Sequence, residues 1–253
     1  MKITFLGTGT SQGVPIIACD CDVCISTNEK DKRLRSSILI EDQGSTFVID
    51  SGPDFRQQLL RAKTKNLDAV IFTHEHKDHI AGLDEVKAFN YLNKKRVDVW
   101  ADKNVEAAIR REFAYIFSEI KYPGIPEIDL HEITTVPFTI NKTTFIPIDV
   151  MHYRLPVKAF RINNFAYVTD ANRIVESEKN KLKGLDFLVL NALRREKHVS
   201  HFTLQEAIEL SQELGAKQTY FTHLSHQLGK HDDISLELPS NIKLAFDGMQ
   251  LEV

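Results

Sequence analysis

The sequence at residues 72–79, Phe-Thr-His-Glu-His-Lys-Asp-His, carries the strongest indication of fold and chemistry in the chain. It completes an apolar run at residues 69–72, which predicts a short buried strand. Alternate side chains of an extended segment point the same way, so His74 and His76 should converge on one site. On a helix the same two side chains would diverge by roughly 200°, since one turn takes 3.6 residues.

Two further donors, Asp78 and His79, follow where the chain has to turn after this strand. A single histidine in such a place usually belongs to a solvated, charged turn. Four nitrogen and oxygen donors within residues 74–79 are instead typical of a site for a borderline divalent metal such as zinc, manganese or iron. We therefore predict a metal centre here.

Composition places the chain among ordinary globular proteins. Of its 253 residues, 42% are hydrophobic and 26% charged, which excludes a disordered or fibrous chain. Neither a repeat nor a linker divides it, so we expect one domain over residues 1–253. No apolar run reaches the roughly 18 residues of a membrane helix, and Gly7 comes too early for a secretory signal, so we expect a cytoplasmic protein. The net charge of −3 argues against a generally basic, nucleic-acid-binding surface.

Strand-length and helix-length segments alternate along most of the chain. Apolar runs predict strands at residues 2–6, 37–41, 46–50, 69–72, 97–101, 138–140, 144–150, 157–162, 165–169, 185–190, 218–222, 242–244 and 249–252. Helical spacing and capping predict helices at residues 53–63, 84–93, 104–118 and 203–214. The proline-containing residues 122–137 are predicted to be mostly loop. Strands that first form hairpins and later alternate with helices predict an α/β (α+β) protein with helix layers outside two packed sheets.

Four donors in one loop do not complete a site for two metal ions. Three other predicted strands also deliver one potential ligand as they leave the sheet, namely His152, Asp170 and His223. Taken singly, Asp170 could be a turn residue and His152 a partly buried structural histidine. As a set they complete a site of six or seven ligands, and ligands on strand ends are rigidly held yet reach an open cleft.

The three cysteines of the chain, Cys19, Cys21 and Cys24, fall within six residues. Their odd number argues against a disulfide framework. Three thiolates with one further donor make a closed tetrahedral zinc site of the structural type, and His226 is the candidate fourth ligand. We predict a structural zinc loop at about residues 14–36, which the bound zinc would attach to the rim of the active site. Three reduced thiols without metal are the alternative.

The His-x-His-x-Asp-His motif with a later His, Asp and His resembles the hallmark of the metallo-β-lactamase superfamily. The resemblance spans nearly the whole chain and implies an αββα four-layer sandwich. It implies two active-site metals with this division of ligands: His74, His76 and His152 for one ion, Asp78, His79 and His223 for the other, and Asp170 as a bridge. Asp50 matches an early strand-end aspartate of the family that orients a ligand.

Further motifs resemble the phosphodiesterases of the phosphonate carbon–phosphorus lyase pathway, which open a phosphoribosyl 1,2-cyclic phosphate. These motifs are GTGTSQGVP at residues 7–15, CDCDVC at 19–24, THEHKDH at 73–79, THLSHQ at 222–227, LPS at 238–240 and FDGMQLEV at 246–253. The resemblance implies one structural zinc and two active-site ions, either manganese or zinc. Residues 100–145 carry no such match.

The same resemblance, shared with ribonuclease Z, implies that His201 is a general acid. It precedes the capping residue Thr203 of a predicted helix, and an exposed surface histidine is the alternative. A hydroxide held by the two metal ions would attack phosphorus while His201 protonates the departing oxygen. Asp78 and Asp50 are counted with His201 as catalytic residues. Three further histidines, His131, His198 and His231, are predicted to lie on the surface.

The predicted activity is therefore hydrolysis of a small, cyclic phosphodiester to a phosphomonoester. The alternatives are a ribonuclease Z-like tRNA 3′ endonuclease, a hydrolase of another ester, thioester or lactam on the same fold, and a zinc-stabilised binding module without catalysis. Expected partners are a small phosphodiester, with neither nucleic acid nor membrane. The oligomeric state stays open, a homodimer included.

Overall fold

The computed structural model describes residues 1–120 and 122–253. Its strands, in chain order, are β1 (Lys2–Gly7), β2 (Ser37–Asp42), β3 (Ser45–Ile49), β4 (Ala69–Ile71), β5 (Val97–Ala101), β6 (Ile128–Glu132), β7 (Phe138–Ile140), β8 (Thr143–His152), β9 (Leu155–Ile162), β10 (Phe165–Val168), β11 (Arg173–Ile174), β12 (Phe187–Asn191), β13 (Gln218–Thr222), β14 (Ile242–Leu244) and β15 (Gln250–Glu252). The α-helices are α1 (Phe55–Ala62), α2 (Lys77–Ile80), α3 (Lys87–Asn93), α4 (Lys103–Glu112), α5 (Glu176–Lys179), α6 (Leu204–Leu214) and α7 (His231–Glu237). Short 3₁₀ helices occupy Glu29–Asp31, Leu83–Val86, Ala114–Phe117 and Asn180–Leu182.

The strands form two mixed sheets. In the described residues one sheet has seven strands in the order β15–β1–β2–β3–β4–β5–β6, antiparallel up to β3 and parallel from there. The other has eight, in the order β11–β8–β9–β10–β12–β13–β14, with β7 paired to β8. The parallel strands β10, β12, β13 and β14 are joined through helices, as parallel connections require.

The core between the two sheets follows from period-two alternation. Phe5 and Phe47 point inward from the first sheet, and Phe160 and Tyr167 point inward from the second, all of them fully buried. Side chains on one face of a strand recur at every second residue, so each strand offers this core alternate positions. The two sheets therefore pack face to face around a shared aromatic layer.

Each outer sheet face is covered by helices. Val48 of β3 packs with Leu59 of α1 and Ile109 of α4, and Leu188 of β12 packs with Leu210 of α6 in a second outer core. These two outer cores and the inner one define four layers, helix–sheet–sheet–helix, so the predicted sandwich is confirmed. No helix in the described part of the chain is long and apolar enough to cross a membrane.

Two predicted helices are shorter in the structure because part of each is a 3₁₀ turn. The helix predicted at 84–93 is α from Lys87, and the one predicted at 104–118 is α only to Glu112. Buried residues three apart mark both 3₁₀ segments, Leu83 with Val86 in the first, and the N-cap Phe113 with Ile116 in the second. Side chains three apart align on a 3₁₀ helix, which buries both of them at once.

The prediction that residues 122–137 are mostly loop is wrong for β6. This strand pairs in parallel with β5, with Leu130 opposite Val99. It is an edge strand only five residues long, with Pro126 before it and Pro137 after it. Prolines are confined to the flanks of such a strand, so their density hid it. The helices α2, α5 and α7 were likewise not predicted.

Candidate metal centres

The candidate ligands lie where strands of both sheets end. Asp50 follows β3, His74 lies three residues past β4, His152 ends β8, Asp170 follows β10 by two residues, and His223 follows β13 directly. Asp50, Asp170 and His223 adopt positive φ angles of 67°, 53° and 56°. For a residue other than glycine this conformation costs roughly 1–2 kcal/mol and concentrates at functional sites. It turns the chain out of the sheet and aims these side chains into one cleft.

Histidines of the first group converge closely. Nε2 of His74 lies 3.0 Å from Nδ1 of His76, and both rings face His152, with centroids 5.7 and 5.2 Å from it. Potential ligand atoms of these three residues all lie within 4.8 Å of one another. This is the set predicted for the first ion.

The second group surrounds Asp170. Its carboxylate lies within the same 4.8 Å limit of Asp78 and His223, and also of His74 and His79. Because Asp170 lies within this limit of His74 and His152 as well as of Asp78 and His223, its position is that of a group shared between two ions. All seven predicted ligands are thus brought into one cluster, while their binding of metal stays a prediction.

Two buried nitrogens test whether cations fit this cluster. Nε2 of His79 and Nε2 of His223 are buried without a hydrogen-bond partner among the described residues. Nε2 of His79 nevertheless lies 3.1 Å from Oδ2 of Asp78 and 3.3 Å from Oδ2 of Asp170. Buried polar groups seldom lack a hydrogen-bond partner. Nitrogen atoms that do lack one, and that lie beside carboxylate oxygens, are placed as the ligands of a shared cation would be. The residues present therefore fit divalent metal ions.

The opposite ring nitrogens are held by oxygen atoms. Nδ1 of His79 lies 2.7 Å from Oδ2 of Asp50, and Nδ1 of His152 lies 2.9 Å from the carbonyl oxygen of Ser200. Nδ1 of His74 lies 3.0 Å from Oγ1 of Thr73, whose hydroxyl donates to Asp50 at 2.8 Å. Such partners orient a ligating histidine and leave its other nitrogen free for the metal. Asp50 lies beside a candidate ligand, where the resemblance implies it, whereas Thr73 and Ser200 lack any sequence signal of their own.

Charge is balanced inside the cluster. Burial alone lowers the pKa of His79, but the carboxylates of Asp78, Asp170 and Asp50 overcome it and raise that pKa well above its usual value. Burial likewise acts to raise the pKa of Asp170, but His223, His79 and His74 hold it well below the usual range. Opposite charges a few ångströms apart dominate such sites. The carboxylates therefore stay ionised and available as ligands.

His201 lies against both groups. Its ring centroid is 4.5 Å from that of His152 and 4.8 Å from that of His223, and its Nδ1 is 3.9 Å from Oδ1 of Asp170. It is buried, and its Nδ1 has no hydrogen-bond partner among the residues described. Burial, and then His223, lower the pKa of His201 to about 2, which favours the neutral ring.

The predicted capping box holds the chain at His201. Oγ1 of Thr203 accepts from the backbone N–H of Glu206 at 3.2 Å, and Oε2 of Glu206 accepts from the N–H of Thr203 at 2.9 Å. The N–H of Phe202 donates to the carbonyl of Ala171, next to Asp170. The start of α6 is thereby tied to the strand end that carries the shared carboxylate, which places His201 in the cleft.

The cysteine site forms at His226, three residues along the chain from His223. The Sγ atoms of Cys19, Cys21 and Cys24 lie 3.4, 3.3 and 3.6 Å from Nδ1 of His226. A tetrahedral zinc ion with Zn–S of about 2.3 Å and Zn–N of about 2.0 Å would place sulfur about 3.5 Å from nitrogen. Backbone and His226 hydrogen bonds lower the pKa of the Cys21 thiol to about 6, which favours a thiolate. These four residues fit one structural zinc.

His231 was predicted to lie on the surface, and this is wrong. It is 6% exposed, and its Nδ1 lies 3.1 Å from Nη2 of the buried Arg33. Arg33 also donates to Oγ1 of Thr8 and to the carbonyl of Ala245. This network docks the zinc loop onto the C-terminal segment. The short helix that carries His231 was not predicted, so nothing in the sequence marked it as buried.

The other two histidines are less buried. His131 is half-buried at the surface, 3.0 Å from Oδ1 of Asp98. His198 is half-buried as well, and its ring centroid lies 5.1 Å from that of His201. Neither belongs to the groups of potential metal ligands among the described residues.

A cleft of about 370 Å³ opens beside the first histidine group. Besides His76 and His152 it is lined by Tyr153, Arg154, Leu155, Val199 and Ser200. No carboxylate belongs to this lining, within the described residues. The cleft therefore has space beside the candidate metals for a small molecule.

Residues 45–224 match a family model described as a beta-lactamase superfamily domain. A crystal structure of a new diphosphatase from the PhnP family superimposes with a TM-score of 0.94 at 38% identity, over 100% of this chain and 97% of that one. The human short-form tRNase Z superimposes with a TM-score of 0.72 at 19% identity, over 100% and 99%, which is a likeness of fold alone.

Two relatives are similar in sequence. An octanoyltransferase of Porphyromonas gingivalis is 39% identical over 253 residues, which are 99% of this chain and 51% of that protein. A ribonuclease Z of Nostoc punctiforme is 27% identical over 192 residues, which are 74% of this chain and 52% of that protein. The chain thus spans about half the length of these curated relatives.

Proposed function

Because the chain belongs to the metallo-β-lactamase superfamily, we propose that it is a metal-dependent hydrolase that cleaves small phosphodiesters to a phosphomonoester and an alcohol. One observation carries this proposal. His201, a candidate proton donor, lies 4.5 and 4.8 Å, ring to ring, from one candidate ligand of each metal ion, His152 and His223. A phosphodiester with an alkoxide leaving group needs both the metal ions and a proton donor, whereas a thioester has a thiolate leaving group that depends less on protonation.

Two divalent ions, manganese or zinc, would be held by the seven clustered donors: His74, His76 and His152 for one, Asp78, His79 and His223 for the other, and Asp170 between them. When bound, they would supply Lewis acidity against the charge on the phosphoryl oxygens and lower the pKa of water. The four residues of the cysteine site would hold a third, structural zinc, which has no open position for substrate.

His201 would complete the reaction at the departing oxygen. The proton that it delivers would come from the attacking water, and the anionic diester beside the ring favours the imidazolium form, because a nearby negative charge stabilises the charged form. As the bond from phosphorus to that oxygen breaks, the ring gives its proton to the oxygen and an alcohol leaves. Asp50 and Thr73 would act indirectly, because they hold His79 and His74 in place.

The cleft beside His76 supports a small substrate. Its volume of about 370 Å³ is at the lower end of ordinary small-molecule pockets, which run from roughly 300 to 1,000 Å³. Arg154 extends from its wall, and a guanidinium there suits a phosphate ester. The overall charge of −3 does not suit a long polyanion.

A second candidate is tRNA 3′ processing, which the similarity to a ribonuclease Z of Nostoc punctiforme favours. It would use the same ligands and the same acid. It differs in needing extended contacts to the RNA backbone, so its substrate affinity would fall steeply with salt concentration.

A third candidate is cleavage of an acyl ester or thioester. It is favoured by the similarity to an octanoyltransferase of Porphyromonas gingivalis, a protein about twice as long as this chain. This chemistry would leave His201 without a defined task.

A panel of substrates, incubated with zinc- or manganese-loaded protein, distinguishes the three candidate functions. The panel holds bis-p-nitrophenyl phosphate, a 2′,3′-cyclic nucleotide, ribosyl 1,2-cyclic phosphate, a precursor tRNA and octanoyl-coenzyme A. We expect turnover of the three small diesters and no turnover of the precursor tRNA or of octanoyl-coenzyme A. Turnover of tRNA alone, or of the thioester alone, would replace the proposal with the corresponding candidate.

A further inference from the structure

We propose that Ser36 is a positioning residue for His223, with a hydroxyl that keeps the ring proton on Nδ1 and so leaves Nε2 free for a metal ion. The inference rests on the metal site of the proposed function but not on its substrate. It adds a residue from the end of the zinc loop to the residues that surround the candidate metal centre.

The hydrogen bonds of Ser36 determine which partner donates the proton in its contact with His223. Ser36 is buried, and its Oγ lies 2.9 Å from the carbonyl oxygen of Gly9 and 3.2 Å from Nδ1 of His223. A hydroxyl has one proton to donate, and a carbonyl can only accept. The proton of Ser36 is therefore committed to Gly9, so Oγ accepts from His223, and Nδ1 must carry the ring proton.

The consequence appears at the other nitrogen of the ring. With the proton on Nδ1, Nε2 of His223 has a free lone pair, and this atom is buried without a hydrogen-bond partner in the described chain. Oδ2 of Asp170 also lies 3.2 Å from Nδ1 but without hydrogen-bond geometry, and it accepts from Oγ1 of Thr169 at 2.7 Å. Ser36 is thus the partner that orients the ring, as Thr73 is for His74.

The backbone around Gly9 keeps Ser36 in register with His223. The N–H of Gly9 donates to Leu34, the N–H of Ser36 donates to Gly9, and the N–H of Leu224 donates to Thr8. A Cβ at Gly9 would lie 2.9 Å from the carbonyl oxygen of Arg33, so only glycine allows this approach. The end of the zinc loop is therefore locked to the segment that carries His223.

The test measures the tautomer of the His223 ring and the affinity of the protein for metal ions. In metal-free protein, ¹⁵N NMR of the histidine rings should show His223 protonated at Nδ1, and Ser36→Ala should raise the share protonated at Nε2. In competition with a chelator, Ser36→Ala should weaken one of the two active-site ions by roughly 10–100-fold, the usual cost of losing such a partner. Ser36→Thr, which keeps the hydroxyl, should restore both readings.

Ser211→Ala is the matched control. Ser211 is also fully buried, and its Oγ donates to Oγ1 of Thr219 at 2.7 Å, at the opposite end of β13 from His223. This variant should lose a similar amount of stability without any change in the His223 tautomer or in metal affinity.

An unchanged tautomer and an unchanged metal affinity in Ser36→Ala would overturn the proposal. So would a loss in Ser36→Ala that Ser211→Ala reproduces, because the cause would then be general destabilisation. If the wild-type protein turns over no diester, the proposed function fails, yet the tautomer and the chelator competition still decide the role of Ser36.

Discussion

Sγ of Cys21 lies 3.3 Å from Nδ1 of His226, although the two residues are 205 positions apart in the chain. His226 follows His223 by three residues, so a zinc ion held here would tie the N-terminal loop to a ligand of the active site. The distance matches that expected for two ligands of one tetrahedral zinc, about 3.5 Å. The two candidate metal centres are therefore coupled through one short segment.

Loss of the cysteine site should reduce both the zinc content and the stability of the protein. In His226→Gln we expect one equivalent of zinc fewer per chain and a lower Tm, because a structural zinc contributes directly to folding. Elemental analysis and a thermal melt measure this. His131→Gln, a surface variant, should keep its zinc and its Tm. An unchanged metal content in His226→Gln would remove His226 from the ligand set.

Replacement of Asp50 should weaken metal binding with little change in the fold. Asp50→Asn keeps the size but loses the charge that accepts from His79, so we expect roughly 10–100-fold weaker affinity for an active-site ion. Isothermal titration of the metal-free protein measures it. Equal affinities in Asp50→Asn and the wild type would show that His79 does not depend on Asp50.

His201→Ala should lose activity in a way that depends on the leaving group. General acid catalysis contributes roughly 10²–10⁴-fold, and only where the departing oxygen needs a proton. We expect a loss of that order with a cyclic nucleotide, whose leaving group is an alkoxide, and a much smaller loss with bis-p-nitrophenyl phosphate. Metal content should stay at the wild-type level. A uniform loss on both substrates would assign His201 to binding instead.

His231 should make the free energy of unfolding depend on acid pH. Burial, and then Arg33 and Lys30, lower its pKa from 6.5 to about 4, while Asp232 and Asp31 act the other way. The folded state therefore binds this proton less readily than the unfolded state. Its contribution to stability is complete above pH 6.5 and is lost as the pH falls towards 4.

Urea unfolding of His231→Gln and of the wild type at several pH values between 4 and 7 measures this contribution. The difference between the two proteins should grow towards neutral pH, and His131→Gln serves as the surface control. Parallel pH profiles of His231→Gln and the wild type would contradict the buried, neutral state of His231.

The clustering of the candidate ligands was predictable because their signal is local. His74 and His76 are two residues apart after an apolar run, and Asp170 and His223 each follow a strand of β-branched and aromatic residues. Strand ends leave a sheet at defined points, so chain position translates into spatial position. The two-sheet architecture was predicted from the order of the elements, because strands that first form hairpins and later alternate with helices fit helix layers outside two packed sheets.

The residues that orient the ligands were not predictable in this way. Ser36 and Thr73 carry one hydroxyl each, and serine and threonine are common at ordinary turns and strand ends. Their role depends on which nitrogen of a distant ring faces them, and only the packed structure shows that. The edge strand β6 was hidden for a related reason, because its pairing with β5 outweighs the prolines on either side.

If the proposed function is correct, hydrolysis takes place at the phosphorus of a small diester. This can be measured by ³¹P NMR of a cyclic diester incubated with zinc-loaded protein in ¹⁸O-enriched water. We expect a phosphomonoester that carries one ¹⁸O atom on phosphorus, with the reaction abolished by removal of the active-site metals. An unchanged diester in the presence of protein with both active-site ions bound would contradict it.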